Sequence, residues 1–203
     1  MTATRQYDQR YFDKWYRNPR FRVKSPQELA RQVAFVVGAA EHILGRGLRT
    51  VLDVGCGEGN WLAPLRRLRP NVHYTGVDSS EYVVSRFGQS RNIRLGTIDS
   101  LDHMRLRKEY DLILCVGMLN YLDPAQLRTG LAHVYELAHG VVYLELFTSA
   151  DSGVFGDTRG TRLRAPAWYR ARIREARFLS CGMHCYVPDR LRENTSVMER
   201  CGA

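Results

Sequence analysis

Lysine is nearly missing from this chain: Lys14, Lys24 and Lys108 stand among 30 basic residues, so the net charge of +9 is carried by arginine. An arginine skew of this kind accompanies GC-rich coding, which weakens the charge as a sign of a nucleic-acid partner. The five cysteines are odd in number and contain no Cys-x-x-Cys pair. That argues against a disulfide framework and a usual zinc site, and Cys181, His184 and Cys185 lack the second ligand pair a closed site needs. No metal is expected. The strongest apolar stretch, Leu112 to Leu122, falls short of the roughly 20 residues that cross a bilayer. The N-terminus, with Arg5, Asp8 and Arg10, has no apolar signal core, so a cytoplasmic protein without a membrane partner is expected.

What is present is the composition of one globular domain. The chain has 203 residues, 44% hydrophobic and 25% charged, enough for a single sizeable core. From Thr50 onward, short β-branched or apolar runs alternate with amphipathic segments, the pattern of a parallel sheet with crossover helices. Strands are predicted at Thr50–Gly55, His73–Asp78, Asn92–Ile98, Tyr110–Val116 and Val141–Phe147. Helices are predicted at 60–68, 80–87, 123–138 and 166–178, and Thr148–Leu163 reads as a long loop of the kind that carries function. Met183–Val187 and Ser196–Arg200 are expected to form a closing hairpin.

Ahead of the first strand, Ser25 and Glu28 make a capping-box signature for a helix over Pro26–Leu44. Tyr7 to Phe21 packs six aromatics into fifteen residues. Residues 1–24 therefore read as an aromatic, basic cap on a core of residues 25–203, all within one domain.

The most informative stretch is Val51–Gly59, VLDVGCGEG, where a buried strand runs into a glycine turn. Gly55, Gly57 and Gly59 permit conformations and close ligand approach that a Cβ forbids. Asp53 precedes the turn and Asp78 ends the next strand, both at the carboxyl edge where open α/β sheets bind ligands. No lysine follows the turn, which excludes a Walker loop. Carboxylates at Asp53 and Glu58 suit a cationic ligand and would repel a pyrophosphate.

These residues resemble the class I S-adenosylmethionine-dependent methyltransferase family: VLDVGCGEG is similar to its motif I, YTGVDSS to motif II, LGTIDSL to motif III and YDLILCVGMLNYL to motif IV. The resemblance spans Thr50 to Thr148 and implies an α/β, Rossmann-like, seven-stranded, mostly parallel sheet. Helices would cover both faces, the last strand would be antiparallel, and a helical cap would precede the core. It implies S-adenosylmethionine as cofactor and S-adenosylhomocysteine as product. Gly55, Cys56 and Gly57 would line the methionine part near Asp53, and Asp78, followed by Ser79, would hold the ribose. Asp99 and Ser100 would meet the adenine edge, Ile98 its ring, and Val116 to Met118 the floor.

Methyl transfer from a sulfonium mainly needs an acceptor held in line and water kept out. Tyr7, Tyr11, Tyr16, Asn120, Tyr121 and Phe147 are the candidates to face that acceptor, with Tyr11, Tyr121 and His184 as candidate catalytic groups. Glu145, inside a buried strand, should have a partner. GMLNYL stands where amino-methylating nucleic-acid enzymes of the family carry Asn/Asp-Pro-Pro-Tyr/Phe, and no Pro-Cys pair is present. Both gaps favour a small-molecule acceptor over nucleic acid. The arginines at 159, 162, 164, 170, 172, 174 and 177 leave an anionic acceptor open. An RNA-directed or RNA-binding protein and a non-catalytic cofactor-binding relative remain the alternative readings.

Overall fold

The computed structural model describes residues 7–153 and 156–201. Seven strands form one sheet in the order β3-β2-β1-β4-β5-β7-β6. They are β1 (Thr50–Val54), β2 (His73–Asp78), β3 (Ile93–Leu95), β4 (Tyr110–Val116), β5 (Ala138–Glu145), β6 (Phe178–Ser180) and β7 (Cys185–Pro188). The first five run parallel, and β7 is antiparallel to both of its neighbours. The chain winds outward from β1 in one direction and then from β4 in the other. The crevice beyond the tips of β1 and β4 is therefore the topological switch point.

Period-two alternation builds the layers. Leu52, Val54, Ile113, Cys115, Val142 and Leu144 face one core, covered by α5 (Pro124–Leu137) and α6 (Pro166–Glu175). Val51, Leu112, Leu114, Val141 and Tyr143 face the other, under α2 (Pro26–Leu44) and α3 (Leu62–Leu68). With both faces buried, β1 and β4 read as almost continuous apolar runs. Caps set the helix starts. Glu28 N donates to Ser25 Oγ at 3.2 Å and Ser25 N to Glu28 Oε2 at 2.7 Å, with Pro26 at the first helical position. Asp123 and Gln126 repeat the device on α5, and Ser80 caps α4 (Glu81–Arg91).

The N-terminal segment is a short helix α1 (Gln9–Phe12) continued by a π-type turn over Asp13–Arg17. Phe12 is buried against Cys56, Val83 and Ile93, so the aromatic run packs on the glycine turn and α4. The Ser80 hydroxyl donates to the Tyr7 carbonyl at 2.5 Å, and Arg17 pairs with Glu58.

One expectation fails at the carboxyl-terminal end, and two strand boundaries shift elsewhere. The closing hairpin is Phe178–Ser180 with Cys185–Pro188, while residues 197–199 form a single 3₁₀ turn. Alternation in FLS, three residues long, is too brief to separate from the end of the preceding helix. The third strand likewise stops at Leu95, and Ile98 opens a 3₁₀ helix to His103. The fifth strand starts at Ala138, before Gly140 rather than after it.

Candidate functional site

Two adjoining cavities open at the switch point, and Gly55, Val116 and Gly117 together with Tyr11, Tyr16 and Tyr121 border both. The glycine turn divides them. Gly55 N and Cys56 N donate to the Val77 carbonyl, folding the turn back on the end of β2. Gly55 has φ +70° and a Cβ there would lie 2.8 Å from Met118 Cγ; Gly57 has φ +52° and its Cβ would lie 2.5 Å from the Tyr16 hydroxyl. Both positions combine a left-handed backbone with no room for a side chain.

The first cavity is acidic and has no basic residue on its wall among the described residues. Asp78, 9% exposed, accepts from Gly57 N at 2.7 Å and Ser80 N at 2.9 Å, so it locks the turn to the start of α4. Burial raises its pKa, and those two N–H bonds oppose the rise. Asp99, at the start of the 3₁₀ helix, keeps Oδ1 buried with no hydrogen-bond partner. Ile98, Met118, Ser79 and Tyr7 lie on the same wall.

The second cavity starts at Asp53 and runs outward under the cap. Asp53 is 2% exposed and accepts from the Tyr74 hydroxyl at 2.8 Å. Burial pushes its pKa up to about 7, with the Tyr74 bond opposing and the nearby Asp78 charge adding to the rise. Burial, followed by the charges of Asp53 and Asp78, also raises the Cys56 thiol, which therefore stays protonated and unreactive. The Tyr16 phenol is raised well above its ordinary value, first by burial and then by Tyr11 and Asp78. Trp15, Val23 and Leu29 from the amino-terminal segments, Trp61 beyond the turn, and Phe147 after β5 complete the chamber.

The chain is similar to several known proteins. The methyltransferase domain family matches residues 52–139, from β1 through the start of β5. An uncharacterized protein of Synechococcus sp. is 32% identical over 128 residues, 59% of this chain and 29% of that protein. The ubiquinone biosynthesis O-methyltransferase of Hydrogenovibrio crunogenus is 33% identical over 86 residues, 39% of this chain and 35% of that one. The chain thus spans about a third of the length of these curated relatives. In fold it matches a SAM-dependent methyltransferase from Archaeoglobus fulgidus with TM-score 0.56 and 18% identity, covering 76% of this chain and 69% of that one. Over this core the chain is similar to S-adenosylmethionine-dependent methyltransferases in sequence and in fold.

Within this methyltransferase fold most of the residues singled out from sequence converge. Asp53, Gly55, Cys56, Val116, Tyr11, Tyr16, Asn120, Tyr121 and Phe147 border the outer chamber. Gly57, Asp78, Ser79, Ile98, Asp99, Met118 and Tyr7 border the acidic cavity. Four expectations change. Ser100 does not line the cavity: its hydroxyl exchanges hydrogen bonds with Thr97, capping the 3₁₀ helix. His184 is exposed on the β6–β7 turn, at φ +63°, and lines a separate groove at the sheet edge. Asn120 borders the chamber, but it is 2% exposed and its amide is consumed structurally: Nδ2 donates to the Phe147 carbonyl and the Tyr169 hydroxyl, and Oδ1 accepts from Phe147 N. Glu58 faces Arg17 of the cap and lines neither cavity.

Lys24 is a wall residue that was not foreseen, while Glu145 and the long loop after β5 were expected to matter without a stated place. Lys24 and Glu145 meet in the chamber, bonded at 2.7 and 2.8 Å, which supplies the partner that a buried Glu145 requires. The rarity of lysine was the available signal for Lys24. Gly156, Asp157, Thr161 and Leu163 bring the long loop to the chamber mouth, where the Tyr121 hydroxyl donates to the Asp157 carbonyl. None of the seven arginines between 159 and 177 reaches either cavity. No helix among the described residues is long and apolar enough to cross a membrane.

Proposed function

We propose that the chain transfers a methyl group from S-adenosylmethionine to a small-molecule acceptor, with the cofactor lying across the two cavities and the acceptor in the outer chamber. The observation that carries this reading is the wall of the inner cavity: buried carboxylates, one of them with an unfilled acceptor atom, and no lysine or arginine. A dinucleotide or nucleoside triphosphate would bring phosphates to such a wall and be repelled. A sulfonium nucleoside carries only positive charge beside its carboxylate.

The residues present fit that group. The unpartnered Asp99 Oδ1 can accept from an adenine amino group, which removes the cost of leaving it buried and unmade. Asp78 has its carboxylate at the end of β2, where it can accept from ribose hydroxyls while holding the turn. Asp53 can hold the ammonium end. Space kept open by Gly55 and Gly57 allows backbone approach at the methionine part. When bound, S-adenosylmethionine supplies an electrophilic methyl carbon whose bond to sulfur breaks with the electron pair passing to sulfur.

The chain's own work is positioning. Tyr11, Tyr16 and Tyr121 stand at the junction of the cavities and shape the path along which an acceptor atom meets the methyl carbon. Phe12 and Phe147 exclude water, which would otherwise compete as nucleophile. The proton lost by the acceptor atom leaves to solvent at the chamber mouth, away from the methyl carbon that the rings keep dry. Thermal denaturation tests the reading: S-adenosylhomocysteine raises Tm in proportion to the logarithm of its concentration, whereas NAD and ATP do not. A shift produced by NAD or ATP, with none from S-adenosylhomocysteine, overturns it.

A further inference from the structure

The outer chamber contains a charged pair that neutralises itself. Lys24 Nζ donates to both carboxylate oxygens of Glu145 and, at 2.8 Å, to Gln32 Oε1, which uses all three of its N–H bonds. Glu145 Oε2 also accepts from Gln32 Nε2 and from the Tyr143 hydroxyl at 3.2 Å. Tyr143 in turn accepts from Gln32 Nε2 at 2.9 Å, so the network closes on itself. Lys24 is the only lysine or arginine among the described lining residues. An anion entering here would surrender its hydration without meeting an unpaired cation, and would sit beside the Glu145 carboxylate.

Much of the rest of the wall is ring faces and aliphatic carbon, from Trp15, Trp61, Tyr121 and Phe147 with Leu29 and Leu163, and its remaining charged residues, Asp53 and Asp157, are both acidic. Aromatic side chains of this kind favour stacked or edge-on contact with another ring. We infer that the acceptor is an uncharged, flat aromatic molecule rather than an anion, selected by the closed Lys24–Glu145–Gln32 network and the surrounding rings. The inference rests on the transferase reading above and names the acceptor class of that site.

The test uses two probes with the same ring system, 2-naphthol and 2-naphthoate, at pH 7 on the full chain with S-adenosylhomocysteine, read by quenching of tryptophan fluorescence, to which Trp15 and Trp61 in the chamber wall contribute. The first is neutral there and the second anionic. The neutral probe is expected to bind at least about tenfold more tightly. Glu145→Gln, which leaves the Lys24 ammonium without its carboxylate, is expected to raise 2-naphthoate affinity by about tenfold and so to narrow or reverse the preference for 2-naphthol. Equal or tighter binding of 2-naphthoate to the natural chain, or no binding of either probe, overturns the inference even if the variant fails to fold. The prior titration with S-adenosylhomocysteine alone separates the cases: its failure to bind counts against the transferase reading instead.

Discussion

The two cavities meet at one glycine turn yet are built on opposite plans. The inner one is made by consecutive strand tips, and its carboxylates keep acceptor capacity in reserve, most plainly at Asp99 Oδ1. The outer one is assembled from the cap, α2, the β4 and β5 tips and the loop after β5, and its one basic residue, Lys24, is spent on Glu145 and Gln32. Unfilled polar capacity marks a surface prepared for a specific polar ligand. A closed network among rings marks one that selects by shape and by the absence of charge.

The sharpest break of this contrast is at the turn. Gly57→Ala forces a side chain into a φ of +52° against the Tyr16 hydroxyl. It is expected to cost about 2–3 kcal/mol in stability, measured by urea denaturation, and most cofactor affinity. A loss below about 0.5 kcal/mol would show that the turn tolerates a Cβ and that the divide is soft.

Removal of residues 1–20 takes Tyr7, Tyr11, Trp15 and Tyr16 out of the site. Cofactor affinity should stay within about tenfold, or 1.4 kcal/mol, while turnover falls steeply. Full turnover by the shortened chain would make the cap a scaffold only.

Asp53→Asn should act with opposite signs on stability and binding. Its carboxyl is raised from 3.8 to about 7 in the folded protein. The folded state therefore holds a proton that the unfolded chain has lost, and stability drains away as pH climbs from about 4 to about 7. Asparagine removes that drain. The variant should gain Tm over the natural chain at pH 8 and lose the advantage near pH 4. In the natural chain, a cation seated beside Asp53 favours its ionised form, so binding below pH 7 should release a proton and tighten as pH rises toward that value. Calorimetry in buffers of different ionisation enthalpy reads the proton directly, and a pH-independent affinity would contradict this role.

The smallest effect belongs to Ser100→Ala. Its hydroxyl serves Thr97 in a cap, so it should cost about 0.5–1 kcal/mol in stability and leave cofactor affinity unchanged. A clear loss of affinity would return Ser100 to the cavity wall.

This difference in construction also explains what could be read from the sequence. The inner cavity lies in contiguous motifs, because a strand, its terminal carboxylate and the next turn are neighbours in the chain. Gly55, Gly57, Asp78 and Asp99 were therefore legible, as was Asp53 next to them at the inner end of the outer chamber. Ser100 was not, since facing a ligand or facing Thr97 is a matter of one side-chain rotation. The outer chamber joins Lys24 to Glu145 across 121 positions, and no periodicity or local spacing encodes such a pair. Arginines clustered in sequence between 159 and 177 suggested an anion site, but α6 and its flanking loop turn them away from both cavities. Asn120 was visible as a polar residue after β4, while its use as a clamp on Phe147 and Tyr169 needed the fold.

The account turns on Asp78. Calorimetric titration of S-adenosylmethionine into Asp78→Ala, with circular dichroism to verify the fold, is the most direct trial. The account predicts a folded protein whose affinity has dropped by at least about a hundredfold, or 2.7 kcal/mol. A folded variant that binds as tightly as the natural chain would contradict it.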